Sequence, residues 1–188
     1  MKEIEKMLSG FEYNSRDPEL LELYSSCKKK LHTLNTALAD ETDRRDLLAS
    51  LFGSLGEGAW IESPFYCDYG KFIRIGAHCF IHTQAVLLDS NTITLGDQVL
   101  IGPGVHIYTA YHPLASKDRL RPGGAAYVTQ SKPVQIGDRS WIGGGVRIMP
   151  GVNIGKDCTI GAGSIVTKDI PDGVLALGNP CKVVRSIE

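Results

Sequence analysis

A branched aliphatic residue returns every six positions along one stretch of the chain, as Ile136, Ile142, Ile148, Ile154, Ile160 and Val166. A helix repeats at about 3.6 residues and a strand at 2, so neither produces this beat. A fixed short repeat builds stacked coils instead. If each hexad is one short flat strand followed by a turn, the aliphatic side chain points inward at the equivalent place in every coil. Glycine follows it at 137, 143, 155 and 161, which suits turns whose backbone angles other residues avoid. The fourth residue after each aliphatic is compact (Ser140, Val146, Val152, Cys158, Ser164), as a narrow interior enclosed by three walls requires. An ordinary sandwich would show alternation and variable strand spacing.

The same beat begins earlier, with Ile75-Gly76, Ile81 and Leu87, then a two-residue slip, then Leu95-Gly96, Ile101-Gly102 and Ile107. It breaks after Tyr108. Residues 109–133 form a polar excursion rich in glycine and proline, after which the repeat resumes. A long loop thrown out of a regular solenoid is usually functional. At the far end Lys168-Asp169-Ile170-Pro171-Asp172-Gly173 closes the repeat, Val174 to Pro180 reads as a strand and turn, and a short tail follows.

Residues 1–55 are a different material. Leu20, Leu21, Leu23, Tyr24, Cys27, Leu31 and Leu34 fall near helical spacing. Asp17-Pro18 reads as an N-cap followed by proline in the first helical position, and Asp40 to Asp43 as a second start. The spacing predicts helices at 2–9, 18–36 and 41–53, the last closed by Gly53. Such a helical segment would cover the open end of a solenoid formed by residues 56–188.

The chain has 188 residues and 43% hydrophobic content, enough for one domain with a real core. A net charge of -1 argues against nucleic acid or a membrane surface as main partner. No apolar run approaches the roughly 18 residues that span a bilayer, and Met-Lys-Glu-Ile-Glu-Lys is no secretory leader, so a cytoplasmic location is expected. Cys27, Cys67, Cys79, Cys158 and Cys181 are odd in number and lack a C-x-x-C pair. Reduced buried thiols are therefore expected, without a disulfide framework or zinc knuckle.

Several segments carry a resemblance: Thr109-Ala110-Tyr111-His112-Pro113-Leu114, Trp141-Ile142-Gly143-Gly144, Ile160 to Pro171, Gly178-Asn179-Pro180-Cys181, and Cys67-Asp68-Tyr69-Gly70. In this order they resemble the maltose and galactoside O-acetyltransferases of the hexapeptide-repeat family, over nearly the whole chain. The resemblance implies a mainly β chain, a left-handed parallel β-helix with about three hexads per coil, assembled as a homotrimer with active sites between subunits. It further implies acetyl-CoA as donor and a sugar hydroxyl as acceptor, with no metal. The handedness is not contained in the periodicity, and it departs from the usual right-handed crossover.

Acetyl transfer from a thioester to an alcohol needs a base, an oxyanion stabiliser and positioning. A hydroxyl is a poor nucleophile at neutral pH, and an imidazole can take its proton as it attacks. His112, on the excursion loop, matches the family's catalytic histidine. An oxyanion donor contributes roughly 3 to 4 kcal/mol in comparable acyl transfers, and no residue stands out for that role. For acetyl-CoA the similarity points to Gly144, Ala162, Thr167, Lys168, Lys182 and Arg185. Small residues leave backbone open to the amide-rich pantetheine arm, and the cations can meet phosphates. Trp141 fits either the donor cleft or the seam between subunits. For the acceptor, the resemblance points to Asp68, Asp89 and the position of His82, where relatives have Asn. A polar residue between Asn14 and Asp17 is also expected there, Asp17 being the candidate although it already serves as a helix cap. A second departure is Thr129, where relatives commonly have Glu, leaving open what orients the catalytic loop.

Other readings stay open on the residues alone. The acceptor could be an amino-sugar oligomer or a small non-sugar alcohol or amine. His78, His82, His106 and His112 are enough for a zinc triad of the γ-carbonic-anhydrase kind, although their spacing does not match that family. A non-catalytic solenoid scaffold would carry the same repeat.

Overall fold

The computed structural model describes residues 1–36, 41–120 and 127–187. Three helices come first: α1 (Glu3–Leu8), α2 (Pro18–Thr36) and α3 (Glu41–Leu51). The cap read at Asp17 is present, its Oδ1 accepting the Glu19 N–H at 3.0 Å. Asp40, read as part of the third helix start, lies outside the described residues. Gly53 is not the stop of α3. Its N–H donates to Ile73 O at 3.0 Å, and a Cβ there would meet Lys71 O at 2.3 Å. Glycine is needed for that close approach to the solenoid, and the helix ends two residues earlier.

The solenoid starts one coil before the Ile75 repeat. Coil one is β1 (Ser54–Leu55), β2 (Trp60–Ile61) and β3 (Phe65–Cys67), and coil two is β4 (Ile73–Ile75), β5 (Phe80–Ile81) and β6 (Ala85–Leu88). Coil three is β7 (Ile93–Leu95), β8 (Leu100–Ile101) and β9 (His106–Tyr108). A hairpin, β10 (Ala110–Tyr111) and β11 (Gln130–Ser131), then leaves the stack. Coil four is β12 (Val134–Ile136), β13 (Trp141–Ile142) and β14 (Arg147–Ile148), and coil five is β15 (Asn153–Ile154), β16 (Thr159–Ile160) and β17 (Ile165–Val166). The stack ends with β18 (Val174–Gly178), which pairs parallel to β16, and β19 (Cys181–Ser186), which folds back antiparallel on β18. The expected short tail is therefore a strand that covers the last coil.

Strands of equivalent position pair in parallel and build three walls of a β-helix with about six turns. Face one is β1-β4-β7-β12-β15, face two runs from β2 through β5, β8, β13 and β16 to β18 and β19, and face three is β3-β6-β9-β14-β17. The repeating aliphatics Ile136, Ile142, Ile148, Ile154, Ile160 and Val166 are all buried, and so are the compact Ser140, Val146, Val152, Cys158 and Ser164. Each buried aliphatic contributes about 1.5–3 kcal/mol, so the column is held by many equal increments. Leu31, Leu34, Leu48 and Leu51 from α2 and α3, with Phe52 just after α3, continue it over the first coil, as the helical cap was expected to do. Among the described residues no helix is long and apolar enough to cross a membrane.

The outward rows differ from wall to wall. Face one presents Ser54, Arg74, Thr94, Gln135 and Asn153 in register. Face two presents Trp60, Phe80, Leu100, Trp141, Thr159 and Leu175. Trp141 is 54% exposed and Leu100 47%. Face one is thus a polar wall, and face two an apolar ladder interrupted by Thr159.

Candidate active site

The two-residue slip after Leu87 is where the site is built. Asp89, Ser90 and Asn91 are buried in the turn from face three to face one. Asn91 ties together parts that are distant in sequence: its Nδ2 donates to Met7 O and Leu8 O, both at 3.2 Å, and to Ser131 Oγ at 3.0 Å. Its N–H donates to Thr109 Oγ1 at 2.9 Å, while that hydroxyl donates to Leu88 O at 2.7 Å. Ser131 Oγ donates to Met7 O at 2.6 Å. Both strands of the protruding hairpin thus stand on a buried polar knot that also holds the end of α1. Every group in it is paired, as such burial demands.

His112 follows β10 on this hairpin and is exposed in the single chain. Its Nδ1 lies 2.7 Å from Val128 O. A carbonyl only accepts, so Nδ1 carries the proton and Nε2 keeps its lone pair. That is the tautomer a general base needs, and it answers the question raised by Thr129: backbone, not an acidic side chain, orients the imidazole. The supporting segment is itself tied back, with Val128 N–H on Arg119 O at 2.7 Å and Arg119 Nε and Nη2 on Pro113 O and Leu114 O at 2.8 and 2.6 Å. Tyr127 packs against His112 with ring centroids 6.0 Å apart.

Beside the hairpin opens a cavity of about 370 Å³ lined by Tyr13, Ser15, Arg16, Leu21, Tyr24, Asp68, Tyr69, Ser90, Ala110 and Thr129. Asp68 is half-buried, its carboxyl pushed up by burial and pulled back by Lys28, whose Nζ lies 3.9 Å away. Burial also raises the Tyr13 and Tyr69 hydroxyls. Tyr13 N–H donates to Thr129 O at 3.3 Å, joining the N-terminal segment to the catalytic loop.

The other acceptor candidates fall elsewhere. Asp89 is fully buried beneath the cavity, Oδ1 accepting N–H from Asp68 at 3.0 Å and Tyr69 at 2.8 Å, Oδ2 from Phe72 at 3.2 Å. Its carboxyl shapes the Asp68-Tyr69-Gly70 turn and does not line the cavity; burial pushes it up to about 7. Asp17 caps α2 and does not line the cavity, whereas its neighbours Ser15 and Arg16 do. His82 is exposed after β5 on face two, its Nδ1 accepting the Thr83 N–H at 2.8 Å, and does not line the cavity of its own chain. Sequence reasoning missed Tyr13 and Tyr24.

The donor candidates gather mainly along face two and its corner with face three. Gly144 and Ala162 sit in stacked turns: Gly145 N–H donates to Pro103 O at 2.8 Å and Gly163 N–H to Gly144 O at 2.9 Å. A Cβ on Gly143 would lie 2.6 Å from Ala162 N, so the turns can stack only without one. Trp141 lies on β13 before this corner, and Lys182 and Arg185 lie on β19, opposite Leu177 and Leu175. Thr167 and Lys168 are exposed at the other edge of face three, beyond β17. His112 leaves from that second edge as well, since β9 precedes its hairpin. His112 and the Gly144-Ala162 corner therefore lie on opposite edges of face three in one chain.

A larger open groove of about 750 Å³ follows face one past Asp138, Lys156 and Asp172, away from His112. Its aspartates are occupied by backbone: Asp138 accepts from Asp97 N–H, Asp172 from Lys156 N–H and Asp169 from Asn153 N–H. Among the described residues no three His, Cys, Asp or Glu side chains are grouped to hold a metal ion. His106 instead bonds Tyr108 Oη through Nδ1 at 2.7 Å, and His78 occupies a left-handed turn with φ 56°.

The comparisons with known proteins bear on this arrangement. Residues 6–56 match the maltose acetyltransferase hexapeptide capping motif, and residues 133–168 match six repeats of the bacterial transferase hexapeptide. The galactoside O-acetyltransferase of Escherichia coli K12 is 42% identical over 85% of this chain and 77% of its own length. A maltose O-acetyltransferase from Clostridium difficile 630 superposes with a TM-score of 0.93 at 46% identity, covering 100% of this chain and 98% of that one. The chain belongs to the hexapeptide-repeat sugar O-acetyltransferase family. It is an acetyltransferase with the family's left-handed parallel β-helix, helical cap and protruding loop. A further family member, the hexapeptide-repeat acetyltransferase from Vibrio cholerae O1 biovar eltor, superposes with a TM-score of 0.91 at 40% identity over the full length of both chains. Its structure contains acetyl coenzyme A. In this acetyltransferase the residues that frame the stacked-turn corner are small and β19 carries the cations Lys182 and Arg185, which fits a ligand with an amide-rich arm and phosphates.

Proposed function

We propose that this acetyltransferase moves the acetyl group of acetyl-CoA to a hydroxyl of a sugar of the maltose, glucose or galactoside kind, with His112 as general base. The observation that carries the reading is the 2.7 Å contact between His112 Nδ1 and Val128 O, from which the tautomer follows. With Nδ1–H held by Val128 O, Nε2 is free to take the proton of an acceptor hydroxyl. As that oxygen attacks the thioester carbonyl, the C–O bond forms, the C–S bond breaks, and the imidazolium returns the proton to the departing CoA thiolate. The cavity beside the hairpin is large enough for a sugar ring and is lined by groups that suit sugars: the tyrosines Tyr13, Tyr24 and Tyr69, and hydroxyls and a carboxylate at Ser15, Ser90, Thr129 and Asp68.

The donor is read at Gly144 and Ala162 for the pantetheine arm, at Thr167, Lys168, Lys182 and Arg185 for the phosphates and termini of the molecule, and at Trp141 along face two. Because the base and the stacked-turn corner lie on opposite edges of face three, one chain does not bring them together. A homotrimer does so if face three of one subunit meets face two of the next. It would also cover the apolar ladder from Trp60 to Leu175 and leave polar face one in water. His82 and Trp141 would then reach a site shared between subunits. All five cysteines are free thiols, in keeping with a cytoplasmic enzyme.

The test is an acceptor screen with acetyl-CoA, read by release of free thiol, run alongside thermal melts with and without acetyl-CoA. The expected result is stabilisation by the donor together with thiol release that depends on a glycoside. Donor stabilisation with release only to amines or non-sugar alcohols would overturn the sugar reading.

A further inference from the structure

Resting on the sugar reading of the same cavity, we propose that the guanidinium of Arg16 makes this enzyme select sugars bearing an anionic substituent, a phosphate or carboxylate, over their neutral parents.

The proposal follows from the charge inventory of the cavity wall. Two lining residues carry charge, Arg16 and Asp68. Asp68 is answered from within the protein by Lys28 Nζ at 3.9 Å, which also donates to Cys67 O and lies 4.5 Å from the centroid of the Tyr24 ring. Arg16 is answered by nothing: among the described residues no side-chain hydrogen bond or ion pair engages its guanidinium, although its backbone is fixed by an N–H bond to Asn14 Oδ1 at 3.1 Å. The two acids nearest to it in sequence, Asp17 and Glu19, are engaged elsewhere. Asp17 caps α2, Glu19 pairs with Lys2 at 3.7 Å, and Asp89 lies sealed below the cavity with both oxygens on backbone N–H groups.

The wall and its buttress therefore hold one cation in excess. The remaining polar lining consists of hydroxyls at Tyr13, Ser15, Tyr24, Tyr69, Ser90 and Thr129. Hydroxyls can donate to an anion, although those of Tyr13 and Ser90 also bond each other, whereas a second carboxylate in the wall would repel it. The planar fork of arginine matches carboxylate and phosphate oxygens in pairs. Arg16 is exposed, so its pull is screened by salt and belongs at the modest end of charge-assisted binding.

The experiment measures kcat/KM at saturating acetyl-CoA for three acceptors sharing one ring: a methyl hexoside, the matching uronate and the matching 6-phosphate, at low and high ionic strength. The full-length chain is used throughout. At low salt the better anionic acceptor should exceed the neutral one by roughly three- to thirtyfold, and the advantage should shrink at high salt. Arg16→Gln should bring the ratio to about one and Arg16→Glu should invert it, while Arg16→Lys keeps part of it. Thermal melts establish that the variants are folded. Equal rates on neutral and anionic sugars, or a preference that survives Arg16→Gln, would overturn the inference and leave the sugar reading standing. Thiol release to none of the three, with donor stabilisation intact, would remove the sugar reading and this inference with it.

Discussion

Asp89 gives the most quantitative forecast. Its carboxyl is fully buried and accepts three backbone N–H groups. Burial outweighs those donors and carries it from the ordinary 3.8 to about 7. Between those two values the folded chain holds a proton that the unfolded chain has released. Stability from this group is therefore greatest at acid pH and falls as pH rises through that window. A shift of about three units corresponds to roughly 4 kcal/mol, a large fraction of a typical folding free energy. Asp89→Asn keeps the shape and cannot ionise. Chemical denaturation of both proteins from pH 4 to pH 8, at one protomer concentration because assembly adds stability, isolates the group, since other titrations cancel in the difference. The variant should gain on the parent by several kcal/mol as pH rises, with most of the change below pH 7. A flat difference would refute the argument. A variant that loses ground with rising pH would mean that the three N–H donors outweigh burial and hold the native carboxyl below its ordinary value.

Four further outcomes follow from the same structure. Gly76→Ala places a Cβ 2.4 Å from Gly96 O in the next coil and should cost about 3 kcal/mol or more by denaturation. Gly104→Ala, at φ +64° with nothing within 4 Å, should cost only about 1 kcal/mol. Asn91→Ala unties the hairpin from α1 and should lower kcat roughly tenfold or more while acetyl-CoA still raises the melting temperature; equal kcat would remove Asn91 as a positioning residue. Replacing Lys182 and Arg185 together by Ala should raise the KM for acetyl-CoA about tenfold without changing the order of acceptors, and an unchanged KM would take β19 out of the donor site.

Much of the fold is written in the beat itself, because a six-residue period admits few structures and each inward aliphatic repeats the same instruction. The first coil was equally legible in Leu55, Ile61 and Cys67, six apart, but Cys67 does not look like a repeat aliphatic and the helical composition of the preceding segment masked it. The strand formed by the tail was hidden because Lys182, Val183, Val184 and Arg185 show no alternation. β19 has almost no buried side and is held by backbone pairing to β18. His112 was legible through the motif around it, whereas its tautomer was not, since the acceptor is a backbone oxygen 16 residues away. Asp89 and Asp17 show the limit of reading polar residues as ligand contacts. Both carboxylates are occupied by backbone N–H groups of their own fold, a use that residue type alone does not distinguish from a site. The cavity residues Tyr13 and Ser90 come from segments 77 positions apart and meet only through the cap's return onto the third coil.

The role of His112 is the central claim, and one variant tests it directly. His112→Ala should retain acetyl-CoA binding, seen as the same ligand-dependent rise in melting temperature, and lose acetyl transfer by roughly 10²- to 10⁴-fold, the usual share of a general base. Full transfer activity in that variant would contradict the account.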